Sequence, residues 1–168
     1  DLDGLDVVVG HTHEALHQRL ETGLHLAVAG RGQGRERAAV IGAAVAAGAD
    51  VAAGVHLRDE VDAVRDLVDD PPGAPDLVIT SGGVSMGVYD TVKEVLSADG
   101  GVEFVKVAMR PGMPQGAGLL GAHRTPVITL PGNPVSSFAS FHVFVLPVLR
   151  RLAGLDPEVD GAFDAVAE

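Results

Sequence analysis

The chain has no cysteine and no tryptophan, one tyrosine and five phenylalanines among its 168 residues. The absence of cysteine excludes disulfide bonds and thiolate metal sites. Because aromatic side chains make up only 4% of the chain, valine, alanine and leucine must fill the core. Basic residues are also scarce, since 12 lysines and arginines stand against 23 acidic residues, for a net charge of −11. That balance opposes nonspecific binding to nucleic acid, which depends on neutralising phosphates.

Long apolar runs are lacking as well. No uninterrupted apolar stretch approaches the roughly 18 residues of a membrane span, and no basic start followed by an apolar core predicts a signal peptide. We therefore expect no membrane association and a cytoplasmic location. The 46% apolar and 21% charged residues are typical of a globular chain, long enough for one domain with its own core.

Helix-like and strand-like segments alternate along the chain. The patterns predict helices at 36–48, 59–69, 90–97 and 134–153, and strands at 50–56, 76–80, 102–109 and 126–130. The alternation predicts an α/β fold, a three-layer sandwich with a mostly parallel sheet. In such folds, ligands bind past the carboxyl ends of the strands. Pro147 is expected to kink the last helix.

The most informative segment joins the strand ending at Thr80 to the helix that begins near Asp90. Small residues fill this loop, among them Ser81, Gly82, Gly83 and Ser85. Glycines let the backbone approach a phosphate, and the free N–H groups of the loop and helix start point at it. Asp90 adds a carboxylate suited to a metal ion. From spacing alone, a tight turn explains the loop equally well, and a helix cap is the favoured explanation of Asp90.

Two further loops are predicted at the same edge of the sheet. Lys106 and Arg110 are four residues apart, on and just after the predicted strand 102–109, so a straight strand would direct both to one face. Arginine grips anionic oxygens with two donors, although a solvated surface pair is the alternative. The other loop opens the last helix, whose start attracts anions or merely shapes the fold. It contains Pro131, Gly132, Asn133, Pro134 and Ser136.

These features fall in three motifs: TSGGVSMGVYDTVKEVL at 80–96, FVKVAMRPGMPQG at 104–116 and VITLPGNPVSSF at 127–138. In this order and spacing they resemble the molybdopterin molybdenumtransferases, the molybdenum-insertion enzymes that include the E domain of gephyrin. The resemblance covers about residues 54–153. It implies a role in molybdenum cofactor biosynthesis, in which a molybdopterin-binding domain inserts molybdate into adenylated molybdopterin and releases AMP.

The resemblance also implies residue roles. The implied molybdopterin-binding residues are Thr80, Ser81, Gly82, Gly83, Ser85, Pro131, Gly132, Asn133, Pro134 and Ser136. The implied catalytic residues are Asp90, Lys106, Arg110 and Asp59, of which Asp90 and Asp59 are the implied Mg²⁺ ligands. The family's habit further implies a homodimer acting on small anionic substrates.

Several positions depart from the family's pattern. Arg110 and Met113 stand where lysine is frequent, so the first keeps a charge and the second removes one. The family carries a threonine-glycine-aspartate-glutamate-leucine stretch after its first strand. The nearest counterpart here is residues 22–26, in which Leu24 and His25 replace both acids.

The weaker match of the N-terminal residues and the acidic composition after Gly154 set the predicted domain boundaries. Residues 1–35 are interpreted as a degenerate N-terminal part of the domain or the remnant of a preceding segment. Residues 36–154 are the predicted molybdopterin-binding α/β domain, and residues 155–168 a predicted acidic tail.

Two alternatives to the insertion reaction stay open. The replaced acids and Met113 favour a catalytically degenerate module that binds molybdopterin or a partner without turnover. A molybdopterin adenylyltransferase is the other alternative, but such relatives usually carry a glycine-glycine-threonine-glycine loop. The Gly83-Val84-Ser85 sequence argues against it.

Overall fold

A computed structural model of the chain describes residues 24–30, 35–56, 61–82, 91–98 and 101–157. The strands are β1 (Leu24–Gly30), β2 (Ala49–His56), β3 (Leu77–Ser81), β4 (Val102–Lys106), β5 (Pro114–Leu120) and β6 (Thr125–Leu130). The helices are α1 (Arg35–Ala46), α2 (Val61–Asp69), α3 (Thr91–Ala98), α4 (Pro134–Ser140) and α5 (Leu146–Leu152), with a π-helical segment (Phe141–Val145) between the last two.

The described strands form one mixed sheet in the order β2-β1-β3-β6-β5-β4. The first four are parallel neighbours, whereas β5 pairs antiparallel with both β6 and β4. The predicted α/β class and mostly parallel sheet are therefore confirmed. Since β4 runs in the direction of β6, the carboxyl ends of all these strands except β5 lie at one edge, which we call the carboxyl edge.

Each face of the sheet carries its own apolar core. On one face, α2 and α3 pack Val64, Leu67 and Leu96 against Val78 and Val127. On the other face, side chains of α1, the π-helical segment and α5 pack against strand residues; they include Val40, Ala44, Phe141, Val145 and Leu149. These two cores produce the predicted three layers, because a sheet that is apolar on both faces must be covered on both.

The strand β5 was not predicted, and β4 is shorter than predicted. A strand at Pro114–Leu120 has poor intrinsic propensity because it contains a proline and two glycines. The packing requires those glycines: a Cβ on Gly116 would lie 2.4 Å from Thr129 Oγ1, and one on Gly118 would lie 1.8 Å from the Gly101 carbonyl oxygen. Tertiary packing therefore determines this strand.

The strand β1 corrects one interpretation of the N-terminal sequence. It lies between β2 and β3, with His25 at its amino end. There the His25 N–H donates to Asp76 Oδ2 at 3.1 Å, and its Nδ1 lies 3.2 Å from Asp50 Oδ2. Leu24 and His25 therefore lie at the edge of the sheet opposite the carboxyl edge, where the predicted loops gather. The prediction that Leu24 and His25 replace acids of the site is wrong.

The last predicted helix is interrupted by the π-helical segment. Pro147 has no N–H to donate to the carbonyl of Val143, so an ordinary α-helical bond is impossible there. The N–H of the preceding residue, Leu146, bonds to the Phe141 carbonyl, five residues back. Among the described residues, the stretch Pro134–Leu152 alone is long and apolar enough to cross a membrane. Of its apolar window 33% is buried, and Phe141 and Val145 in this stretch belong to the core.

Candidate functional site

The ends of β3 and β6 meet at the carboxyl edge through their backbones. The Gly82 N–H donates to the Leu130 carbonyl at 3.0 Å. A Cβ on Gly132 would lie 3.1 Å from Gly82 Cα, and Gly82 has a φ of +78°. Close approach and a left-handed backbone both favour glycine here. The structure therefore brings together two of the sequence-predicted loops, at 80–82 and 131–132.

The start of α4 is closed by its own cap. Asn133 Oδ1 accepts from the N–H groups of Val135 at 3.0 Å and Ser136 at 3.2 Å, and Pro134 occupies the first turn. Ser137 Oγ donates to the Pro131 carbonyl. Asn133 therefore stabilises the helix start, and two of the amides that would attract an anion are already paired.

Three buried hydroxyls lie just inside the carboxyl edge. Thr80 and Thr129 are register partners on β3 and β6, and Ser81 is the next residue on β3. Within the part of the chain that the structure describes, their oxygens have no hydrogen-bond partner, although each residue is at most 1% exposed. Leaving such a group unpaired costs about 1–3 kcal/mol. This arrangement is typical of a position where a ligand or water supplies the missing partner.

The third predicted loop joins β4 to β5 and folds back on itself. The Val107 N–H donates to the Met113 carbonyl at 2.8 Å, and the Met109 N–H donates to the Val107 carbonyl at 2.8 Å. The strand ends at Lys106, so the argument that a straight strand directs Lys106 and Arg110 to one face is wrong. Both side chains are exposed, and neither forms an ion pair with another described residue.

The described members of the predicted site form an elongated edge rather than one compact cluster. Lys106 ends β4, which is separated from β3 by β5 and β6. Since neighbouring strands lie about 4.8 Å apart, the ends of β4 and β3 are roughly 14 Å apart. Phe104, on the same face of β4 as Lys106, packs against the α2 and α3 core, so Lys106 lies on the face that carries Thr80 and Thr129. The edge suits an extended anionic ligand better than a single ion.

The remaining predicted residues, Asp59, Gly83, Ser85 and Asp90, lie outside the described residues. Within the described ranges there is no group of three or more histidine, aspartate or glutamate side chains that could hold a metal. The side chains of β3 offer the hydroxyl oxygens of Thr80 and Ser81 at the carboxyl edge, on opposite faces of the sheet because successive strand residues alternate. Hydroxyl and carboxylate oxygens are of the type that Mg²⁺ accepts.

Sequence reasoning missed two polar residues near this edge. Thr129 was counted only as part of a strand, and its pairing with Thr80 follows from the register. Gln115 was passed over inside a motif, yet it is buried and contacts both Gly112 and Ser140. A glutamine in a glycine-rich strand is the signal that could have marked it.

A cavity of about 420 Å³ lies at the other end of the molecule. Its lining includes Asp69 at the end of α2, Gly101 before β4, and Gly121 and Arg124 in the turn between β5 and β6. None of the sequence-predicted site residues lines it. The carboxyl edge therefore remains the candidate site.

The family profile described as "Probable molybdopterin binding domain" matches residues 12–151. The chain belongs to this family. Molybdopterin molybdenumtransferase 2 of Mycobacterium tuberculosis is 50% identical over 118 residues, which cover 66% of this chain and 29% of the relative. Gephyrin of Dictyostelium discoideum is 36% identical over 120 residues, covering 63% of this chain and 17% of the relative. The chain thus spans less than a third of these relatives.

Solved structures share the fold at low sequence identity. The molybdopterin biosynthesis enzyme MoaB from Thermus thermophilus superposes with a TM-score of 0.56 at 23% identity, covering 80% of this chain and 99% of that one. A molybdenum cofactor biosynthesis protein from Pyrococcus furiosus superposes with a TM-score of 0.57 at 19% identity, covering 87% of this chain and 49% of that one. The molybdopterin-binding fold predicted from the motifs is confirmed.

Proposed function

We propose that this chain is the molybdopterin-binding part of an enzyme that inserts molybdate into adenylated molybdopterin and releases AMP. The observation that carries the proposal is the alignment of three motifs along one sheet edge. The loops at 80–82 and 131–132 meet at one end, and the 107–113 loop follows β4 at the other. The 50% identity to a relative named molybdopterin molybdenumtransferase supports the same conclusion.

The chemistry requires several anions to be gathered and their charge offset. In the proposed reaction water attacks the phosphoanhydride and AMP leaves, and molybdenum bonds to the two dithiolene sulfurs while one oxygen of molybdate departs with the two thiol protons as water. Lys106 and Arg110 are exposed cations that would stabilise the charge on molybdate or phosphate. The glycines at 82 and 132 would let the backbone approach the pterin or the nucleotide closely. The hydroxyls of Thr80 and Ser81 would supply hydrogen bonds at the same end.

For magnesium, we propose Asp59 and Asp90 as ligands. Carboxylates suit this hard cation, and Asp90 follows the loop that begins at the end of β3. When bound, the ion would act as a Lewis acid on phosphate oxygens. Calorimetric titration with magnesium measures binding without turnover. Asp90→Asn should lower the affinity for magnesium in that titration.

We also propose the substrates, location and assembly of the protein. The substrates would be small anionic molecules, and the protein would act in the cytoplasm as a homodimer, without nucleic-acid or membrane partners. Sedimentation of the purified chain tests the dimer directly. A monomer at micromolar concentration would remove that part of the proposal.

The test of the reaction is AMP release from adenylated molybdopterin, measured with and without molybdate. Release should depend on molybdate, and Asp90→Asn should abolish it. Asp69→Asn is the matched control, because Asp69 is an exposed carboxylate beside the cavity at the far end of the molecule. Full activity of Asp90→Asn would contradict the proposed role of Asp90.

A catalytically degenerate binding module is the second candidate. The observation that favours it is Met113, which is 48% exposed in the 107–113 loop and places an uncharged side chain beside the proposed anion site. This candidate predicts binding of adenylated molybdopterin without AMP release in the same assay. Transfer of labelled AMP from ATP to molybdopterin would instead indicate an adenylyltransferase.

A further inference from the structure

Gln115 joins the 107–113 loop to the last residue of α4. Its Nε2 donates to the Gly112 carbonyl at 2.7 Å and to Ser140 Oγ at 2.6 Å. Gln115 is 6% exposed and Ser140 is fully buried, so both bonds are shielded from water. The contact spans 25 residues of sequence and fastens a loop to a helix on the face that carries α1 and α4.

The amide orientation is fixed by its partners. A backbone carbonyl only accepts hydrogen bonds, so the group 2.7 Å from the Gly112 oxygen must be the nitrogen. Both N–H donors of Gln115 are then used, one on the loop and one on the helix. Its Oε1 has no partner among the described residues and is buried.

The loop is also packed closely against the helix at Gly112. This residue has a φ of +108°, and a Cβ added there would lie 3.0 Å from Ser140 Oγ and 3.0 Å from Met109 Cε. A hydrogen bond from the Val107 N–H to the Met113 carbonyl closes the same loop. Gln115, Gly112 and Ser140 therefore hold the base of a loop whose exposed members include Arg110 and Met113.

We infer that Gln115 is a positioning residue that sets where Arg110 meets the anionic part of the ligand. Gln115 affects the ligand only through the loop, because its own side chain is buried on the face of β5 that carries α1 and α4. Both of its donors join the loop to the helix, so the amide sets the position of the loop relative to α4. Its buried oxygen has no partner among the described residues, and a buried polar group of this kind calls for an explanation beyond packing. The ligand's identity rests on the proposed function, whereas the anchoring of the loop does not.

The test combines Gln115→Leu with Arg110→Ala in a double-mutant cycle. Leucine keeps a buried side chain of similar bulk but removes both donors. Affinity for adenylated molybdopterin should fall about tenfold in Gln115→Leu, as for the loss of hydrogen bonds to a buried carbonyl. In the Arg110→Ala background the same change should have little further effect, because residues that act as a unit are not additive. Additive losses would overturn the inference.

A second readout needs no ligand. Amide hydrogen exchange at Val107, whose N–H closes the loop, should speed up about tenfold in Gln115→Leu, because local opening becomes easier. Exchange at Ile79 in β3 should not change. Unaltered exchange at Val107 would overturn the anchoring role even if the wild-type protein bound no molybdopterin. Failure of the wild type to bind would count against the proposed function alone.

Two further variants keep the test secure if Gln115→Leu folds poorly. Ser140→Ala removes one partner of the amide with a small change in volume and should shift the Val107 exchange in the same direction by a smaller factor. His123→Ala, in the exposed turn between β5 and β6, is the matched control and should alter neither exchange nor affinity. A Ser140→Ala variant with normal loop exchange would contradict the link to the helix.

Discussion

The two ends of the candidate site are held in different ways. Where β3 and β6 end, the backbone itself forms the contact, through the Gly82 N–H and the Leu130 carbonyl. Where β4 ends, a backbone bond from Val107 to Met113 closes the loop, but the side chain of Gln115 holds the loop to α4. A contact between backbone groups is fixed by the sheet and changes little with sequence. A loop position that depends on one side chain can be changed by a few substitutions. The antiparallel end is therefore the part of this site that single substitutions should alter most.

The largest expected effect comes from β5, because its glycines are required by packing. Gly118→Ala would place a Cβ 1.8 Å from the Gly101 carbonyl oxygen, and β5 or the residues before β4 must move. We expect a loss of about 3 kcal/mol in the free energy of unfolding, measured by urea titration. Gly42→Ala in α1 is the control, since no atom lies within 4 Å of its Cβ position, and it should gain about 1 kcal/mol.

An intermediate effect is expected at the start of α4. Asn133→Ala removes the oxygen that accepts from Val135 and Ser136. The unfolding free energy should fall by about 1 kcal/mol, the usual effect of losing an N-cap. Asn133→Asp keeps an accepting oxygen and serves as the control that should retain the stability. If Asn133→Ala is as stable as wild type, the cap bonds contribute nothing and Asn133 is free for a ligand.

The smallest expected effect is electrostatic and belongs to the β4 end. Met113→Lys adds a cation to a side chain that is 48% exposed, so affinity for adenylated molybdopterin should rise by about 0.5–1 kcal/mol. The gain should shrink as salt is added, because exposed charges are screened. Met113→Gln, of similar length and without charge, is the control. An equal gain from glutamine would show that charge at this position does not matter.

The sequence predicts the parallel end of the site better than the antiparallel end. The apolar run before Thr80 could be placed as a buried strand to within one residue, and Asn133-Pro134 marked a helix start that the structure confirms. Both signals are local. Strand directions at a parallel sheet then bring the loops at 80–82 and 131–132 to one edge.

The missing parts depend on contacts distant in sequence. Strand β5 has weak local propensity, and its glycines are required by Thr129 and Gly101. The anchoring by Gln115 depends on Ser140, which no pattern in the strand reveals. His25 was misassigned because its place at the amino end of β1 depends on how β1 pairs with β2 and β3. A short sequence motif does not reveal that pairing.

The most direct test of an extended ligand site is to map, by hydrogen exchange, which amides adenylated molybdopterin protects. One extended ligand along the carboxyl edge should protect amides in two separated segments, at 80–82 with 130–136 and at 106–113. Protection of only one segment would contradict a ligand that spans roughly 14 Å between strand ends. Protection confined to the turn at 121–124, beside the cavity at the opposite end, would show that the ligand site lies elsewhere.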